Sequence, residues 1–474
     1  MRLAMVYPNK QSTESQMSLG LGYLASYILS KDDSIDIKVL DTAVMNHKEV
    51  DRFFDEQWDI AAVTVTSRTY REAVGIAKIF KTKKNDIPVI FGGPHVSIMM
   101  KDVMRESLID FAIYGEGELT LDELLRLLKN SENRFNANVL SKVNGLIFRR
   151  DGNVVVNAPR VLIENLDMLP FPAFDLFPMR RYAGRLPLIT SRGCPFACVF
   201  CASSQIWSRK WRPRSPENII KEVKWLEDKF GPRPFEFHDD GFNMNLKRVN
   251  AICDQIIEEK INIPWGVRGF RADIVNTDVS RKMRQAGCSH VAIGIESANP
   301  QMLIRMGKRE TIDQIERGIK MLQSAGIDVI GQFMIGNPGE TLETVKESVK
   351  FAKGSGCTKC TFGTAVPFPG TALWQYVEDN GRFLVEPDVT RFEEMNPRII
   401  FETPEFSAEE RLRAIELVRE AGLLGAKAEG ESRFRRIYKR TLSIYIPKLL
   451  PRKVVFHLYF LLRKLKRKLL LFGV

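Results

Sequence analysis

The sequence lacks the features that mark secreted, fibrous or disordered chains. It contains no low-complexity tract, and its 32 Gly and 23 Pro among 474 residues are ordinary numbers, so we expect folded structure nearly throughout. No signal-peptide pattern is present, because the opening Met1–Pro8 is short and runs directly into a strand pattern. The seven cysteines are odd in number and concentrated in one stretch. We therefore expect a reducing cytoplasm and exclude a disulfide framework.

Acidic residues are absent from the last part of the chain. The net charge is +12, and residues 432–474 contain 13 Lys and Arg but no Asp or Glu, so the preceding residues sum to about −1. The basic character is therefore a property of the tail. Because the body of the protein is not basic, we expect no nucleic-acid partner.

The tail also lacks a membrane span. Its longest charge-free run, Val454–Leu462, is shorter than the roughly 20 apolar residues that a bilayer needs. Leu and Phe residues recur there at helical spacing, with Lys and Arg between them, and a basic amphipathic helix fits the surface of an anionic membrane. We expect peripheral attachment to the inner face of the cell membrane. Docking onto the chain's own body and RNA binding are the alternatives. The apolar positions are Leu458, Leu461, Leu462, Leu465, Leu469 and Phe472.

What the chain does contain is a loop with three thiols, Cys194, Cys198 and Cys201, in the pattern C-x3-C-x2-C. Thiolate is the ligand that iron–sulfur clusters take, and a [4Fe–4S] cluster ordinarily has four. Three ligands leave one iron open to bind a small molecule. A structural zinc loop is the alternative, but zinc sites usually add a second C-x2-C pair or histidines. We interpret the other thiols as ordinary buried residues: Cys253, Cys288, Cys357 and Cys360. An auxiliary cluster at Cys357 and Cys360 is the alternative.

The thiol motif resembles that of the radical S-adenosylmethionine (SAM) enzymes. In that family the SAM amino and carboxylate groups bind the open iron, and an aromatic residue before the last cysteine, here Phe200, lies near the adenine. From Leu186 to about Thr371 a strand–helix rhythm repeats roughly six times. The resemblance implies a partial (β/α)6 barrel and, because an exposed cluster needs protection from oxygen, an anaerobic setting.

Polar residues at the ends of the predicted barrel strands predict a catalytic rim. The predicted strands are Leu186–Ser191, Phe235–Gly241, Trp265–Arg271, Val291–Ser297, Val329–Gly336 and Thr361–Thr371. Of the two arginines in the third strand that could hold a carboxylate, Arg268 is favoured over Arg271. For each residue, helix capping or packing is the alternative. The resemblance implies SAM contacts at Asp239, Asp240, Arg268, Gly294, Glu296, Ser297 and Gly336.

Residues 1–130 alternate short apolar runs with helical patterns, which is typical of a doubly wound parallel sheet. Ligands of such sheets bind beyond the carboxyl ends of the strands. Here those ends, with Ser18–Ala25 and Phe91–Val96, resemble the Rossmann-like cobalamin-binding domain that precedes one large class of radical SAM enzymes. A degenerate domain that binds nothing is the alternative. The resemblance implies cobalamin contacts at Thr64, Thr66, Ser67, Gly92, Gly93, His95, Gly115 and Glu116.

One feature of cobalamin proteins is missing. The Asp-x-His-x-x-Gly motif that supplies an axial histidine is absent, and His47 follows Asp41 at the wrong spacing. We therefore expect no protein histidine from this loop on cobalt.

The remaining segments are predicted from local patterns. Residues 131–185 are expected to form a connector, with a hairpin over Asn144–Asn157 and a proline-rich stretch, Leu169–Pro178, whose aromatic side chains pack between domains. The barrel is assigned to 186–400 and a helical region with the basic tail to 401–474. Its first helix is predicted over Phe406–Leu424, opened by a capping box at Ser407.

The sequence thus predicts a cobalamin-binding radical SAM enzyme, of the class B methyltransferase type, with a [4Fe–4S] cluster, SAM and cobalamin. The resemblance implies cleavage of SAM to a 5′-deoxyadenosyl radical, followed by C-methylation of a lipid or other membrane-associated substrate, with a flavodoxin or ferredoxin as reductant. A radical SAM cyclase or carbon–carbon coupling enzyme is one alternative. A methylthiotransferase-like RNA modifier would need cluster cysteines before Cys194, and a non-catalytic cobalamin sensor is a further alternative.

Overall fold

In the computed structural model, the residues described are 1–9, 16–83, 86–130, 135–182, 184–385 and 399–424. The predicted basic amphipathic tail lies outside these ranges. Within them, no helix has both the length and the apolar character needed to cross a bilayer.

The N-terminal half is built on a seven-stranded sheet. Five parallel strands lie in the order β2-β1-β3-β4-β5, and β6 and β7 extend the sheet in antiparallel pairing. Because the strand order reverses around β1 and β3, a crevice opens beyond the carboxyl ends of these strands. The predicted doubly wound sheet is confirmed. The strands are β1 Arg2–Tyr7, β2 Asp36–Asp41, β3 Ile60–Thr64, β4 Val89–Gly92, β5 Phe111–Ile113, β6 Leu146–Arg150 and β7 Asn153–Val156.

Helices cover this sheet and bury its apolar strands. On one side, Phe54 and Phe80 pack edge to face with ring centroids 5.2 Å apart, in a core that includes Phe91. The helices of this half are α1 Leu19–Lys31, α2 His47–Asp55, α3 Tyr70–Lys83, α4 Pro94–Met99, α5 Glu118–Lys129 and α6 Ala137–Leu140.

The predicted hairpin forms, but as part of the first sheet and not of a separate connector. Asp151 and Gly152 have φ angles of 51° and 80°, as expected for the two central residues of a type I′ turn. Leu146, Ile147 and Phe148 are buried, and β6 pairs with β5. The first domain therefore continues beyond residue 130, because burying these side chains requires the sheet edge.

The second half is an open barrel of six parallel strands in the order β15-β14-β13-β12-β11-β8. The predicted partial (β/α)6 barrel is confirmed, with all six strands in the predicted order. The barrel strands are β8 Leu186–Leu188, β11 Phe235–Phe237, β12 Trp265–Phe270, β13 Cys288–Glu296, β14 Asp328–Ile335 and β15 Lys359–Thr364. The short strands outside the barrel are β9 Ser191–Arg192, β10 Arg212–Pro213, β16 Arg382–Phe383 and β17 Phe401–Glu402.

Helices pack on the outer side of the barrel strands. Along β14, Val329, Phe333 and Ile335 are buried on that side, while Ile330 and Met334 alternate onto the opposite, inner wall and are half-buried. The helices are α7 Ser203–Trp207, α8 Pro216–Phe230, α9 Leu246–Glu258, α10 Thr277–Gln285, α11 Pro300–Arg305, α12 Ile312–Ser324, α13 Leu342–Gly354, α14 Ala372–Asn380 and α15 Ala408–Glu420.

Two predicted segments tie these parts together. In the proline-rich stretch, Ala173 donates a backbone hydrogen bond to Gly22 in α1, and the Phe174 ring is 6.1 Å from that of Trp225 in α8. The predicted packing of this stretch between domains is confirmed. The capping box of α15 is also confirmed, since Ser407 and Glu410 exchange hydrogen bonds. This helix packs on α13 and belongs to the barrel.

Candidate active site

The three thiols lie on a loop whose two ends are paired. Antiparallel β9 and β10 join Arg192 to Arg212 across the base of the loop. Gly193 begins the loop with φ of +85°, and a Cβ there would lie 2.1 Å from the Lys210 carbonyl oxygen. Only glycine fits this position, because the neighbouring atom is backbone and cannot move aside.

Backbone hydrogen bonds hold the middle of the loop against the barrel. Val199 donates to the Met306 carbonyl at 3.0 Å and accepts from Leu373 at 2.9 Å. The three cysteines are free and half-buried. Burial raises the pKa of each thiol, that of Cys201 to about 11. Without a bound metal the thiols are therefore protonated at neutral pH, and metal binding releases their protons.

Asp239 lies at the predicted strand end and anchors the approach to the thiol loop. One carboxylate oxygen accepts from the Thr190 backbone N–H at 2.8 Å, and the other accepts from the hydroxyls of Thr190 and Ser191 at 2.5 Å each. Both oxygens are thus engaged within the protein. The predicted contact of Asp239 with SAM stays a prediction, and the structure gives the side chain an anchoring role. Asp240 beside it is exposed and accepts from Ser203 at 2.8 Å.

Glu296 sits at a distorted end of β13. Its φ is +64°, and the pairing of β13 with β14 shifts register between Gly294 and Glu296. A Cβ on Gly294 would lie 2.4 Å from the Glu296 carboxylate, so this glycine lets the side chain fold back over its own strand. Bulges of this kind re-aim side chains near active sites. Burial raises the pKa of Glu296, and Lys308, whose Nζ lies 4.0 Å away, opposes the rise.

Two buried cations lie beside the thiol loop: Lys308, which sequence reasoning missed, and Arg271, which it ranked behind Arg268. Lys308 is 8% exposed, and its Nζ is 3.2 Å from Glu310. Arg271 pairs with Asp273 at 2.9 Å, and its guanidinium stacks 3.8 Å from the ring centroid of Phe196 in the loop. Both cations lower the pKa of Cys198 against the larger effect of burial. Lys308 belongs to no motif in the sequence, so no local signal could have found it.

The turn after β14 contains a buried amide without a partner. Neither the oxygen nor the nitrogen of the Asn337 carboxamide has a hydrogen-bond partner among the described residues, although the side chain is fully buried. Such a group points to a missing ligand, and an amide can pair with the edge of adenine. Gly336, predicted as a SAM contact, has φ of +109° in the same turn. Ser297 lies at the end of β13 but is buried and accepts from the Asn299 N–H at 3.2 Å.

The buried carboxyl group of Glu340, in this turn, is expected to make the stability of the protein depend on pH. Burial raises its pKa from the ordinary 4.5 to about 7, against hydrogen bonds from the Gly336 and Asn337 backbone. The folded state therefore holds this proton more tightly than the unfolded state, so the contribution of Glu340 to stability falls as pH rises from 4.5 to about 7. We expect the free energy of unfolding of the wild type to fall by on the order of 3 kcal/mol across this window because of Glu340. The Glu340→Gln variant should not show this fall. Melting both proteins at each pH measures the difference, and a constant difference would contradict the prediction.

A polar network lines the inner wall of the barrel. Glu236 in β11 accepts from His238 and His290 at 2.8 Å each and from Arg268 Nε at 2.6 Å. Burial alone would raise the pKa of Glu236, but these donors outweigh it and hold the pKa well below its usual range. Arg268, favoured in sequence for the SAM carboxylate, is therefore already paired with Glu236, and its contact with SAM stays a prediction.

Gly266 of β12 makes this network possible. A Cβ there would lie 2.0 Å from the His290 ring, so the glycine lets that ring cross β12 to reach Glu236. We expect Gly266→Ala to lower the free energy of unfolding by about 1–3 kcal/mol, the usual cost of overpacking. In a double-mutant cycle, Gly266→Ala should cost much less stability when it is introduced into the His290→Ala background, because the clashing ring is then absent. Gly363→Ala in β15, where a Cβ meets no atom within 4 Å, is the matched control. An equal loss in the control would contradict the explanation.

Most residues predicted to contact cobalamin meet at the carboxyl ends of β3, β4 and β5. Thr66 caps the turn Ser67–Thr69, and Ser67 is 3.0 Å from Nδ1 of His95, a buried ring packed on Tyr70. The remaining positions lie directly at the strand ends and are Thr64, Gly92, Gly93 and Gly115. A Cβ on Gly115 would meet nothing within 4 Å, so this edge is open. Their contacts with cobalamin stay predictions.

Gly22, in the stretch Ser18–Ala25 that resembles the cobalamin domain, and the predicted contact Glu116 both make contacts within the protein. A Cβ on Gly22 would lie 2.9 Å from Pro172, so this glycine admits the proline-rich stretch. The Glu116 carboxylate accepts hydrogen bonds from Arg192 and Arg212 and is buried by them. The structure therefore gives Glu116 an internal role, and its predicted contact with cobalamin stays a prediction.

The residues present fit the implied cofactors. Three half-buried thiols on one loop suit three irons of a cluster, and among the described residues no group of three or more His, Cys, Asp or Glu is close enough to hold a single metal ion. The unpartnered Asn337 and the buried Lys308 offer groups for an adenine and a carboxylate, as SAM has. A Cβ on Gly115 would meet nothing within 4 Å, so there is free space beside this strand end.

Two family profiles match the chain. The radical SAM superfamily profile matches residues 188–352, and the B12-binding domain profile matches residues 14–125. The first region contains the thiol loop and β9 to β14, and the second contains β2 to β5.

Similar proteins include methyltransferases and a cyclase. An uncharacterised methyltransferase of Pyrococcus horikoshii is 36% identical over 397 residues, which cover 81% of this chain and 84% of that protein. The anaerobic magnesium-protoporphyrin IX monomethyl ester cyclase of Rubrivivax gelatinosus is 27% identical over 396 residues, covering 80% and 70%. Among solved structures, the radical SAM methyltransferase TsrM of Kitasatospora setae, with cobalamin and a [4Fe–4S] cluster bound, has a TM-score of 0.68 at 20% identity and covers 80% of this chain and 75% of its own. This last similarity shows the fold.

Proposed function

The chain belongs to the family of cobalamin-binding radical SAM enzymes, and from that premise we propose that it methylates an unactivated carbon of a lipid or other membrane-associated substrate. The family assigns a [4Fe–4S] cluster, SAM and cobalamin as cofactors, and makes the chain an enzyme. Methylation by this chain and the kind of substrate are our proposal.

One observation carries the methyl-transfer part of the proposal. Met99 at the end of α4, which follows β4 of the first domain, packs in the same apolar cluster as Phe200 of the thiol loop. The strand ends predicted to bind cobalamin therefore adjoin the loop predicted to bind the iron–sulfur cluster. A methyl donor and a radical generator serve one substrate only if they are neighbours, because geometry must bring the reacting atoms together.

The side chains at the barrel rim have separate tasks in this proposal. When bound, the cofactors supply an electron, a 5′-deoxyadenosyl radical and a methyl group. We propose that Asp240 accepts a hydrogen bond from the SAM ammonium, that Lys308 lies near the SAM carboxylate, and that Asn337 holds the adenine. Phe200 covers the loop with apolar surface, which limits the access of water.

The substrate class rests on two features outside the catalytic rim. The basic amphipathic pattern of residues 432–474 favours an anionic membrane surface, which would bring the enzyme to a lipid. The inner wall of the barrel carries half-buried Ile330 and Met334 on β14 and the Glu236 network on β11 to β13, a mixture suited to an apolar molecule with a polar group. We further propose a cytoplasmic enzyme at the inner face of the membrane, reduced by a flavodoxin or ferredoxin.

A second candidate function is ring formation or carbon–carbon coupling with cobalamin in another role. The relative named as a porphyrin ester cyclase favours it, because that protein matches 80% of this chain. The two reactions differ in the fate of SAM, since methylation also yields S-adenosylhomocysteine.

The test is anaerobic reconstitution of the full chain with iron, sulfide and cobalamin, followed by dithionite, SAM and vesicles of membrane lipid. Formation of both 5′-deoxyadenosine and S-adenosylhomocysteine, measured by mass spectrometry with a methylated lipid, would support the proposal. 5′-Deoxyadenosine alone would favour the second candidate. Neither product from a loaded enzyme would overturn both and favour a cobalamin sensor. The role of the tail is tested by sedimenting the full chain with lipid vesicles. We expect the protein to sediment with anionic but not with zwitterionic vesicles, and we expect salt to weaken this binding.

A further inference from the structure

Four charged side chains meet at the base of the thiol loop, two from each domain. Arg192 Nη1 donates to Glu116 Oε1 at 2.7 Å, and Arg192 Nη2 donates to Glu118 Oε1 at 2.6 Å. Arg212 Nη1 lies 3.0 and 2.9 Å from the two oxygens of Glu116. Glu116 and Glu118 follow β5 at the start of α5, whereas the arginines come from β9 and β10. We refer to these four residues as the carboxylate clamp.

The carboxylate clamp binds both ends of the thiol loop. Arg192 stands two residues before Cys194, and Arg212 stands on the paired strand directly after the loop. Glu116 therefore binds the strand that enters the loop and the strand that leaves it. Its Oε2 also accepts from the Ile163 N–H at 2.7 Å, which adds the connector to the same point.

The clamp is buried and electrically balanced. All four side chains are at most 9% exposed, and two carboxylates face two guanidiniums. Burial alone would raise the pKa of Glu116, but Arg192 and Arg212 outweigh it and lower the pKa. Burial alone would lower the pKa of Arg192, but Glu118 and Glu116 raise it. Glu116 and Arg192 therefore stay ionised at neutral pH.

The burial of these ion pairs fixes one geometry but adds little to the stability of the protein. A buried ion pair contributes little net stability, because desolvation offsets the attraction between the charges, whereas removing one partner is strongly unfavourable. Arg212 also has two guanidinium nitrogens, Nε and Nη2, without a hydrogen-bond partner among the described residues. An apolar contact would join the domains without this cost, so an arrangement of directional bonds indicates a need for a fixed position.

We propose that the carboxylate clamp sets the distance and orientation between the iron–sulfur cluster and cobalamin. Glu116 is then a positioning residue of the first domain that acts on the cluster loop. The proposal rests on the two cofactors that the family assigns. It adds that their separation is fixed by Glu116, Glu118, Arg192 and Arg212, and not by the apolar contact of Met99 alone.

The experiment measures that separation in the holoenzyme. Full-length protein loaded with cluster and cobalamin is poised so that the reduced cluster and cob(II)alamin each carry an unpaired electron, and pulsed electron paramagnetic resonance gives the distribution of distances between them. The wild type is expected to give one narrow distribution. Glu116→Gln is expected to broaden or shift it while both cofactors remain bound, because the arginines lose their shared carboxylate.

Controls separate positioning from general stability. Glu259→Gln breaks an exposed pair with Lys224 and should leave the distribution narrow. Should Glu116→Gln fail to fold or load, Glu118→Gln, which leaves Arg192 one carboxylate, carries the test with the same criterion. Replacing both Glu116 and Arg212 by Gln restores the charge balance and should recover stability but not the narrow distribution. A loaded Glu116→Gln or Glu118→Gln variant with the wild-type distribution would overturn the proposal, whatever its melting temperature. Failure of the wild type to bind cobalamin would instead count against the proposed function.

Discussion

Alanine at Cys201 is expected to prevent assembly of the [4Fe–4S] cluster and to reduce formation of 5′-deoxyadenosine to background. The loop provides three thiols, one fewer than the four ligands that such clusters ordinarily have. Removing one thiol leaves two protein ligands and a second open iron, so neither cluster retention nor ordered binding of SAM is expected. Iron and sulfide content, the visible absorption of the cluster and 5′-deoxyadenosine after dithionite measure the effect.

The matched control is Cys357→Ala. Cys357 is half-buried like Cys201 but lies at the opposite, amino-terminal end of the barrel strands, before β15. We expect this variant to retain full cluster content and SAM cleavage. A cluster that persists in Cys201→Ala, or that is lost equally in Cys357→Ala, would contradict the assignment of the ligands.

The order of the strands was predictable because its signals are local. Each barrel strand is a short apolar run followed by polar or glycine residues, and the hairpin turn Asp151–Gly152 is marked by two adjacent residues. The capping box at Ser407 spans four residues. Such patterns need no knowledge of distant parts of the chain.

The roles of the acidic residues were not predictable in the same way. Asp239 binds Thr190, which is 49 residues away, and Glu116 binds Arg192, which is 76 residues away. At the level of the sequence, each is an acid after a strand, and a ligand contact and an internal ion pair have the same pattern. Only the tertiary packing distinguishes them, within the barrel for Asp239 and between the two domains for Glu116.

The Glu236 network on the inner wall was predictable only in part. Glu236 lies in β11 and His238 directly follows that strand, so continued alternation places them on one face, opposite the buried Phe235 and Phe237. That signal was present in the sequence. Nothing in the sequence indicates that His290 reaches Glu236 from another strand, because this contact depends on the absence of a side chain at Gly266.

Alanine at Gly193 is expected to abolish the cluster while leaving all three thiols in the chain. Two costs act at this position. The backbone has φ of +85°, which costs an L residue about 1–2 kcal/mol. The added Cβ would also lie 2.1 Å from the Lys210 carbonyl oxygen and 2.9 Å from the Trp207 Cβ. The carbonyl belongs to the backbone next to β10, so relief of the clash must separate the two ends of the loop.

Gly231→Ala isolates the first of these costs. Gly231 ends α8 with φ of +75°, and a Cβ there meets no atom within 4 Å. We expect it to melt slightly below the wild type and to bind a full cluster. Gly193→Ala should lose the cluster and the production of 5′-deoxyadenosine, although its thiol count is unchanged. If Gly193→Ala matched Gly231→Ala in iron content and activity, pairing at the base of the loop would not be what brings the thiols together. Loss of the cluster only in Gly193→Ala would instead mean that the thiols alone do not suffice, and that the backbone between β9 and β10 must first close the loop around them.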